Sequence, residues 1–279
     1  MSEKLIAGRA ATEAILQAHK WQANHDLGQN FLIDAAAAQQ IAALAAAEPQ
    51  VCLFEIGPGL GAISQLLAKK ELPTALVELD KRFCRHLEQF FAENDLVHVI
   101  NADALTFDYA AFMQQQGREK CCIVGNLPYY ITSPLIRCFL PLPWHKMCLM
   151  MQKEVAKKLT EKRKESSPLA LMIDYFAVSR YEFELPPGCF LPAPAVDSAV
   201  ITLTRREELP DVPQQPLFAL IEAAFSQRRK TLPNVLNGYL GKDKAFWQEK
   251  LIGAGLAANV RAEQLKLDDF CRIWQQLEA

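Results

Sequence analysis

At 279 residues, 51% of them hydrophobic and 22% charged, the chain has enough apolar material for a full core, and its length suits one main domain with a smaller companion. No apolar run reaches the ~20 residues of a membrane-spanning helix, which excludes a helical integral membrane protein. A formal net charge of −2 gives no whole-protein field for nucleic acid, so any RNA-binding surface is expected as a local patch.

Residues 1–24 carry charges among alternating alanines and lack the uninterrupted apolar core of a signal peptide, so they read as a helical extension of a cytoplasmic protein. The polar turn Asp26 to Asn30 breaks into Phe31-Leu32-Ile33, and Asp34 stands where an N-cap would start the alanine-rich helix 35–47. Val51 to Ile56 is a short apolar strand, followed at once by Gly57-Pro58-Gly59-Leu60-Gly61 and a segment of helical spacing, 62–70. A glycine-rich turn between strand and helix lets the backbone approach a nucleotide-like ligand and points helix N–H groups at it. The second strand, Thr74 to Leu79, ends in Glu78-Leu79-Asp80. That acid falls about twenty residues past the glycines, the spacing that suits a ribose hydroxyl pair.

After a helix at 81–94, a strand around Leu96 to Ile100 delivers Asp103, either a turn cap or an acceptor for an adenine amino group. The next strand, ending Ile123-Val124-Gly125, brings Asn126-Leu127-Pro128-Tyr129-Tyr130 to the same edge. Asn126 offers an amide donor pair and a carbonyl acceptor. Pro128 fixes the backbone, and Tyr129 adds a flat ring for a planar substrate. Such a set holds an exocyclic amine, with acceptors for its protons and an aromatic face for its ring. The bland alternative is a strand, a proline turn and a core tyrosine. Four strand ends with small or polar groups at one edge favour the ligand site of an open α/β sheet.

No phosphate-loop Lys-Ser/Thr follows the glycines, no serine elbow stands nearby, and the histidines at 19, 25, 86, 98 and 145 are scattered. Hydrolase and metal chemistry therefore lack a candidate constellation. The cysteines at 52, 84, 121, 122, 138, 148, 189 and 271 form no Cys-x-x-Cys pair, so reduced core thiols are expected and no metal.

Beyond Tyr130, Thr132-Ser133-Pro134 opens a helix and 146–151 reads as a strand. Lys153, Lys157 and Lys158 begin a basic run that reaches Lys164, either a solvated helix face or a phosphate-contacting patch. Residues 168–178 read as an apolar helix and 181–185 as a short strand. The proline-rich loop from Pro186 presents Phe190, a buried staple or a stacking surface, before the strand 197–204. The linker Leu209 to Pro216 marks a boundary, and helices are expected at 215–227, 231–240, 243–253 and 268–278. Between the first two, Arg228, Arg229 and Lys230 are three adjacent cations that can grip a phosphate backbone.

In this order the pieces resemble the KsgA/Dim-type ribosomal RNA adenine N6,N6-dimethyltransferase family over roughly residues 25–275. The matching stretches are Gly28 to Leu32, Glu55 to Gly61, Glu78-Leu79-Asp80, Asp103-Ala104, Gly125 to Tyr129, Gln152 to Val155, Phe190 to Val200 and Gln227 to Thr231. The resemblance implies an α/β fold, a Rossmann-like class I S-adenosyl-L-methionine methyltransferase sheet with a small C-terminal α-helical domain. It divides the chain into an extension (1–24), a methyltransferase domain (25–208) and a helical RNA- and ribosome-docking domain (209–279). By position, Asn30, Leu32 and Gly59 would line the cofactor, Gly57 would sit beneath its methionine part, Glu78 would hold the ribose, and Asp103 the adenine.

Asn126 would lie between methyl donor and target amine, helped by the backbone oxygen of Leu127 or Pro128, with Tyr129 and Phe190 stacking the base. Lys153, Lys157, Lys158, Arg228, Arg229 and Lys230 would face RNA. The implied product is dimethylated adenosine at two adjacent positions in the 3′-terminal hairpin of 16S rRNA in the 30S subunit, made by a monomer. The chain departs from the family pattern at Asn24-His25-Asp26, Ser167-Pro168, Ala193 and Ala195. Two rival expectations stand beside it. An Erm-type 23S rRNA methyltransferase is disfavoured by Leu127, Gly28-Gln29 and Val196-Asp197-Ser198, and a non-catalytic 30S assembly factor by Asn126.

Overall fold

The computed structural model describes residues 6–24, 27–45, 50–160, 165–227 and 229–278. These fall into two compact units, one from the described residues of 1–156 and 180–205, the other from those of 157–179 and 206–279.

The first unit begins with α1 (Arg9–His19), a two-residue strand β1 (Phe31–Leu32) and α2 (Ala35–Leu44), whose first turn is capped by Asp34 accepting from the Ala37 N–H at 2.9 Å. Strands and helices then alternate: β2 (Val51–Ile56), α3 (Ser64–Leu67), β3 (Thr74–Glu78), α4 (Lys81–Phe90), β4 (Val97–Asn101), α5 (Tyr109–Gln115), β5 (Lys120–Asn126), α6 (Thr132–Phe139) and β6 (Trp144–Gln152). After α7 (Lys153–Leu159) and α8 (Pro168–Phe176) come β7 (Ala177–Leu185), β8 (Phe190–Leu191) and β9 (Ser198–Arg205).

Seven strands form one sheet in the order β4-β3-β2-β5-β6-β9-β7, the first five parallel and β9 antiparallel to β6. β2 is buried along its whole length and β5 at all but its two ends, as expected of parallel strands covered on both faces. The fold is therefore α/β with its strand order reversing between β2 and β5, the position where open sheets leave a crevice. β1 and β8 form a separate antiparallel ribbon, Phe31 opposite Leu191 and Leu32 opposite Phe190.

The second unit adds to α8 the helices α9 (Gln214–Ala224), α10 (Leu232–Val235), α11 (Lys244–Gly253) and α12 (Leu267–Glu278). Its core includes Leu217, Ile221, Leu232, Trp247, Leu251 and Phe270, all with no solvent exposure. The Tyr175 hydroxyl donates to the Val212 carbonyl at 3.0 Å.

Several expected limits move. The helix read as 168–178 stops at Phe176, because Ala177 to Leu185 alternates buried and exposed and joins the sheet as β7. The helix expected at 231–240 is the single turn α10, followed by a 3-10 turn at Tyr239–Gly241 after Gly238, whose φ of 89° does not continue a helix. Among the described residues no helix is long and apolar enough to cross a membrane, and no cluster of His, Cys, Asp or Glu is placed to hold a metal ion. All eight cysteines are free, five of them buried.

Candidate active site

The carboxyl ends of β2, β3 and β5, with the turn after β4, open on one cleft. Gly57, Gly59, Glu78, Asp103 and Asn126 line it, and Asn30 enters from the loop before β1. It encloses about 720 Å³ of empty space, open mouth included. No lysine, arginine or histidine is among its described lining residues.

Gly57 and Gly59 have φ of 64° and 57°, and a Cβ on Gly59 would stand 3.2 Å from the Phe31 ring, so the turn follows this path only with glycine. Glu78, 7% exposed, ties the turn to the tip of β3: its Oε2 accepts from the Gly59 N–H at 3.0 Å and its Oε1 from the Asp80 N–H at 2.9 Å. Burial holds this carboxyl above the ordinary range, against the pull of those N–H donors. Asp103 caps its turn, its Oδ1 accepting from the Leu105 N–H at 2.9 Å, and the residue also lines the cleft.

Asn126 ends β5. Its Nδ2 donates to the Asn30 carbonyl at 3.0 Å, which fixes the amide orientation and leaves Oδ1 without a protein donor among the described residues. The Pro128 carbonyl already accepts from the Ile131 N–H and the Thr132 hydroxyl, both at 3.1 Å. Of the two backbone acceptors expected beside Asn126, that of Leu127 is the one left open. The loop approaches the sheet closely, for a Cβ on Gly125 would come within 3.0 Å of both the Ile56 carbonyl and the Leu127 side chain.

Other expected residues lie elsewhere. Leu32, 4% exposed, is absent from the lining of this cleft but lines a smaller cavity with Asn30, Gly57 and Asn126, while Phe190, 1% exposed, packs beside it in one core cluster, the buried staple of its two expectations. Tyr129 is half-buried and absent from the lining of the cleft, its hydroxyl 2.7 Å from that of Ser198; the aromatic at the mouth is Tyr130, 58% exposed. Lys153 is held by Glu184 and Asp197 at 2.6 and 3.1 Å, which leaves its ammonium poorly placed for phosphate. Lys158, Arg229 and Lys230 are exposed and Lys157 half-buried. Arg228, the end of the basic run at 162–164, and His25-Asp26 lie outside the described residues.

Glu55, inside the apolar strand β2, has no role among the expectations above. It is 2% exposed, its Oε2 lacks a partner among the described residues, and burial pushes its carboxyl up to about 8, against the Ser64 hydroxyl and with Glu78 adding to the rise. It lines a smaller cavity shared with Asn30, Gly57, Gly59 and Asn126. The available signal was an acid inside an apolar strand.

Residues 20–279 match the ribosomal RNA adenine dimethylases. The chain belongs to this family. Among curated relatives, ribosomal RNA small subunit methyltransferase A of Streptococcus gordonii is 36% identical over 286 residues, 98% of each chain. The Streptococcus pneumoniae protein of the same name is 35% identical over 285 residues, again 98% of each. Two solved structures share the dimethylase fold: the 23S rRNA methyltransferase ErmE (TM-score 0.74, 24% identity, 90% of this chain and 100% of that one), and a dimethyladenosine transferase from Plasmodium falciparum (TM-score 0.71, 21% identity, 89% and 97%). For a dimethylase, the cleft at the reversal of strand order is the candidate place of reaction.

Proposed function

We propose that this dimethylase transfers methyl groups from S-adenosylmethionine to the N6 amines of two adjacent adenosines in the 3′-terminal hairpin of 16S rRNA, dimethylating each on the small ribosomal subunit. The observation that carries the reading is the Asn126 amide, pinned through Nδ2 to Asn30 and so left with Oδ1 as an acceptor at the cleft. The cleft's lining suits such a donor: carboxylates at Glu78 and Asp103 without a cation favour a positively charged nucleoside over one bearing phosphates. Glu78 would hold the ribose and Asp103 the adenine, with the Gly57–Gly59 turn against the amino-acid part.

When bound, S-adenosylmethionine supplies an electrophilic methyl on a sulfonium. The chain's part is to aim the amine. An adenine amino nitrogen is a poor nucleophile because its lone pair is delocalised into the ring. Hydrogen bonds from its N–H groups to Asn126 Oδ1 and the Leu127 carbonyl favour a more tetrahedral nitrogen with its lone pair directed at the methyl. Positioning of this kind lowers a barrier by up to about 7–11 kcal/mol. The same acceptors stabilise positive charge as it develops on nitrogen. Tyr129, tethered at its hydroxyl beside the cleft, would stack on the base and repay part of the cost of unstacking it. Exposed Lys158, Arg229 and Lys230 would meet the phosphate backbone, and the second unit would dock a cytoplasmic, monomeric protein on the 30S subunit.

Incubation with labelled S-adenosylmethionine and unmethylated 30S or 50S particles, followed by nucleoside analysis, tests this. Dimethyladenosine in 30S RNA alone is expected. Label in 50S RNA alone, or in neither particle, would refute it.

A further inference from the structure

We propose that Ser198, Asp197 and Lys153 form a positioning chain that sets the ring of Tyr129, an inference that rests on the methyl-transfer reading above. Tyr129 follows the Pro128 turn, and its Oη lies 2.7 Å from the Oγ of Ser198, a serine with no solvent exposure. Burial, against the pull of Ser198, holds the Tyr129 hydroxyl above the ordinary phenol value, so it keeps its proton and can donate.

Ser198 opens β9 and stands opposite Gln152, the last residue of β6. The next residue, Lys153, locks that corner twice. Its N–H donates to the Asp197 carbonyl at 3.0 Å, and its Nζ lies between Asp197 Oδ2 at 3.1 Å and Glu184 Oε2 at 2.6 Å. Glu184, near the end of β7, also accepts from the Tyr181 hydroxyl at 2.8 Å. One ammonium thus ties the ends of β6, β7 and β9 at the serine that bonds Tyr129. The loop bearing Asn126 is anchored to the same strand, since the Leu127 N–H donates to the Met150 carbonyl at 2.9 Å.

An isolated part-exposed ion pair contributes little. Here the pair acts through geometry: the phenol Oη lies on the axis of the ring's second torsion, so a bond at the tip fixes where the ring lies, not its rotation about that axis. A shift of about 1 Å in a positioned group can cost a hundredfold in rate. Two stretches far apart in sequence, Gln152-Lys153 and Asp197-Ser198, therefore serve one purpose. They hold the Tyr129 ring in place beside the loop that carries Asn126.

The test is a double-mutant cycle on the single-turnover rate of adenosine methylation by the full-length protein, with unmethylated 30S subunits and saturating S-adenosylmethionine. Ser198→Ala and Lys153→Met are made alone and in the Tyr129→Phe background, which keeps the ring and removes the tether. Ser198→Ala and Tyr129→Phe are each expected to slow the reaction about fivefold, the scale of one lost hydrogen bond. Lys153→Met should slow it less. Neither should slow it further once Tyr129 is Phe, and KM for S-adenosylmethionine should not move. Lys153 is half-buried, its side chain 24% exposed, and Lys153→Met keeps the apolar stem, so its arm stands even where a thermal melt finds Ser198→Ala unfolded. Additive losses in the Tyr129→Phe background, or a Tyr129→Phe protein at the wild-type rate, overturn the positioning chain alone. A wild-type protein that methylates no adenosine removes the functional reading, and this inference with it.

Discussion

A buried carboxylate without a full set of partners is costly, and Glu55 avoids the cost by keeping its proton. In the unfolded chain it titrates near 4.5 and in the fold near 8, so between those values the folded state binds the extra proton. The resulting stability is fully present below about pH 4.5 and is lost as pH rises through 8. Glu55→Gln should flatten this slope, on the order of a few kcal/mol between pH 5 and 8. Thermal melts across that range check it, and an unchanged slope would show that Glu55 ionises normally. The carboxyl was legible as a residue and not as a site, because strand periodicity cannot say which side chain lacks a partner. The same limit applied to Lys153 and Tyr129, whose partners lie 44 and 69 residues away. Asn126 and Glu78 were legible because each ends an apolar strand, and the strand pattern alone carries such a residue to the sheet's carboxyl edge.

At the level of elements, the close passage of β5 over the end of β2 makes Gly125 a demanding position. A methyl there meets Ile56 and Leu127 at 3.0 Å. Gly125→Ala should destabilise the fold by about 1–3 kcal/mol, as overpacked cores do, and displace the Asn126 loop. Gly188→Ala, with nothing within 4 Å of its added Cβ, should change stability by less than about 0.5 kcal/mol. Denaturant melts of the two variants check the contrast, and equal losses would contradict it. The alternating strands, the glycine turn and the edge that carries the site followed from apolar runs and turn residues. The ribbon of β1 and β8 did not: two-residue strands leave no periodicity, and their pairing joins Phe31 to Leu191. That ribbon sets Leu32 opposite Phe190, so the burial of the Phe190 ring follows from a long-range pairing that its sequence neighbours do not reveal.

For the whole molecule, a net charge of −2 means that RNA must be met by local patches. Arg229→Ala and Lys230→Ala should each weaken binding to unmethylated 30S subunits and reduce the slope of log affinity against log salt by about one. Unchanged slopes would remove those residues from the RNA interface. The central claim is that the Asn126 amide, together with the Leu127 carbonyl, grips the target amine. It is tested most directly by measuring dimethyladenosine formed on unmethylated 30S subunits by wild-type protein and by Asn126→Ala at saturating S-adenosylmethionine. The expected result is a loss of at least about a hundredfold, the scale of a misplaced reacting group, with 30S binding retained. An Asn126→Ala protein that still dimethylates adenosine at the wild-type rate would contradict it.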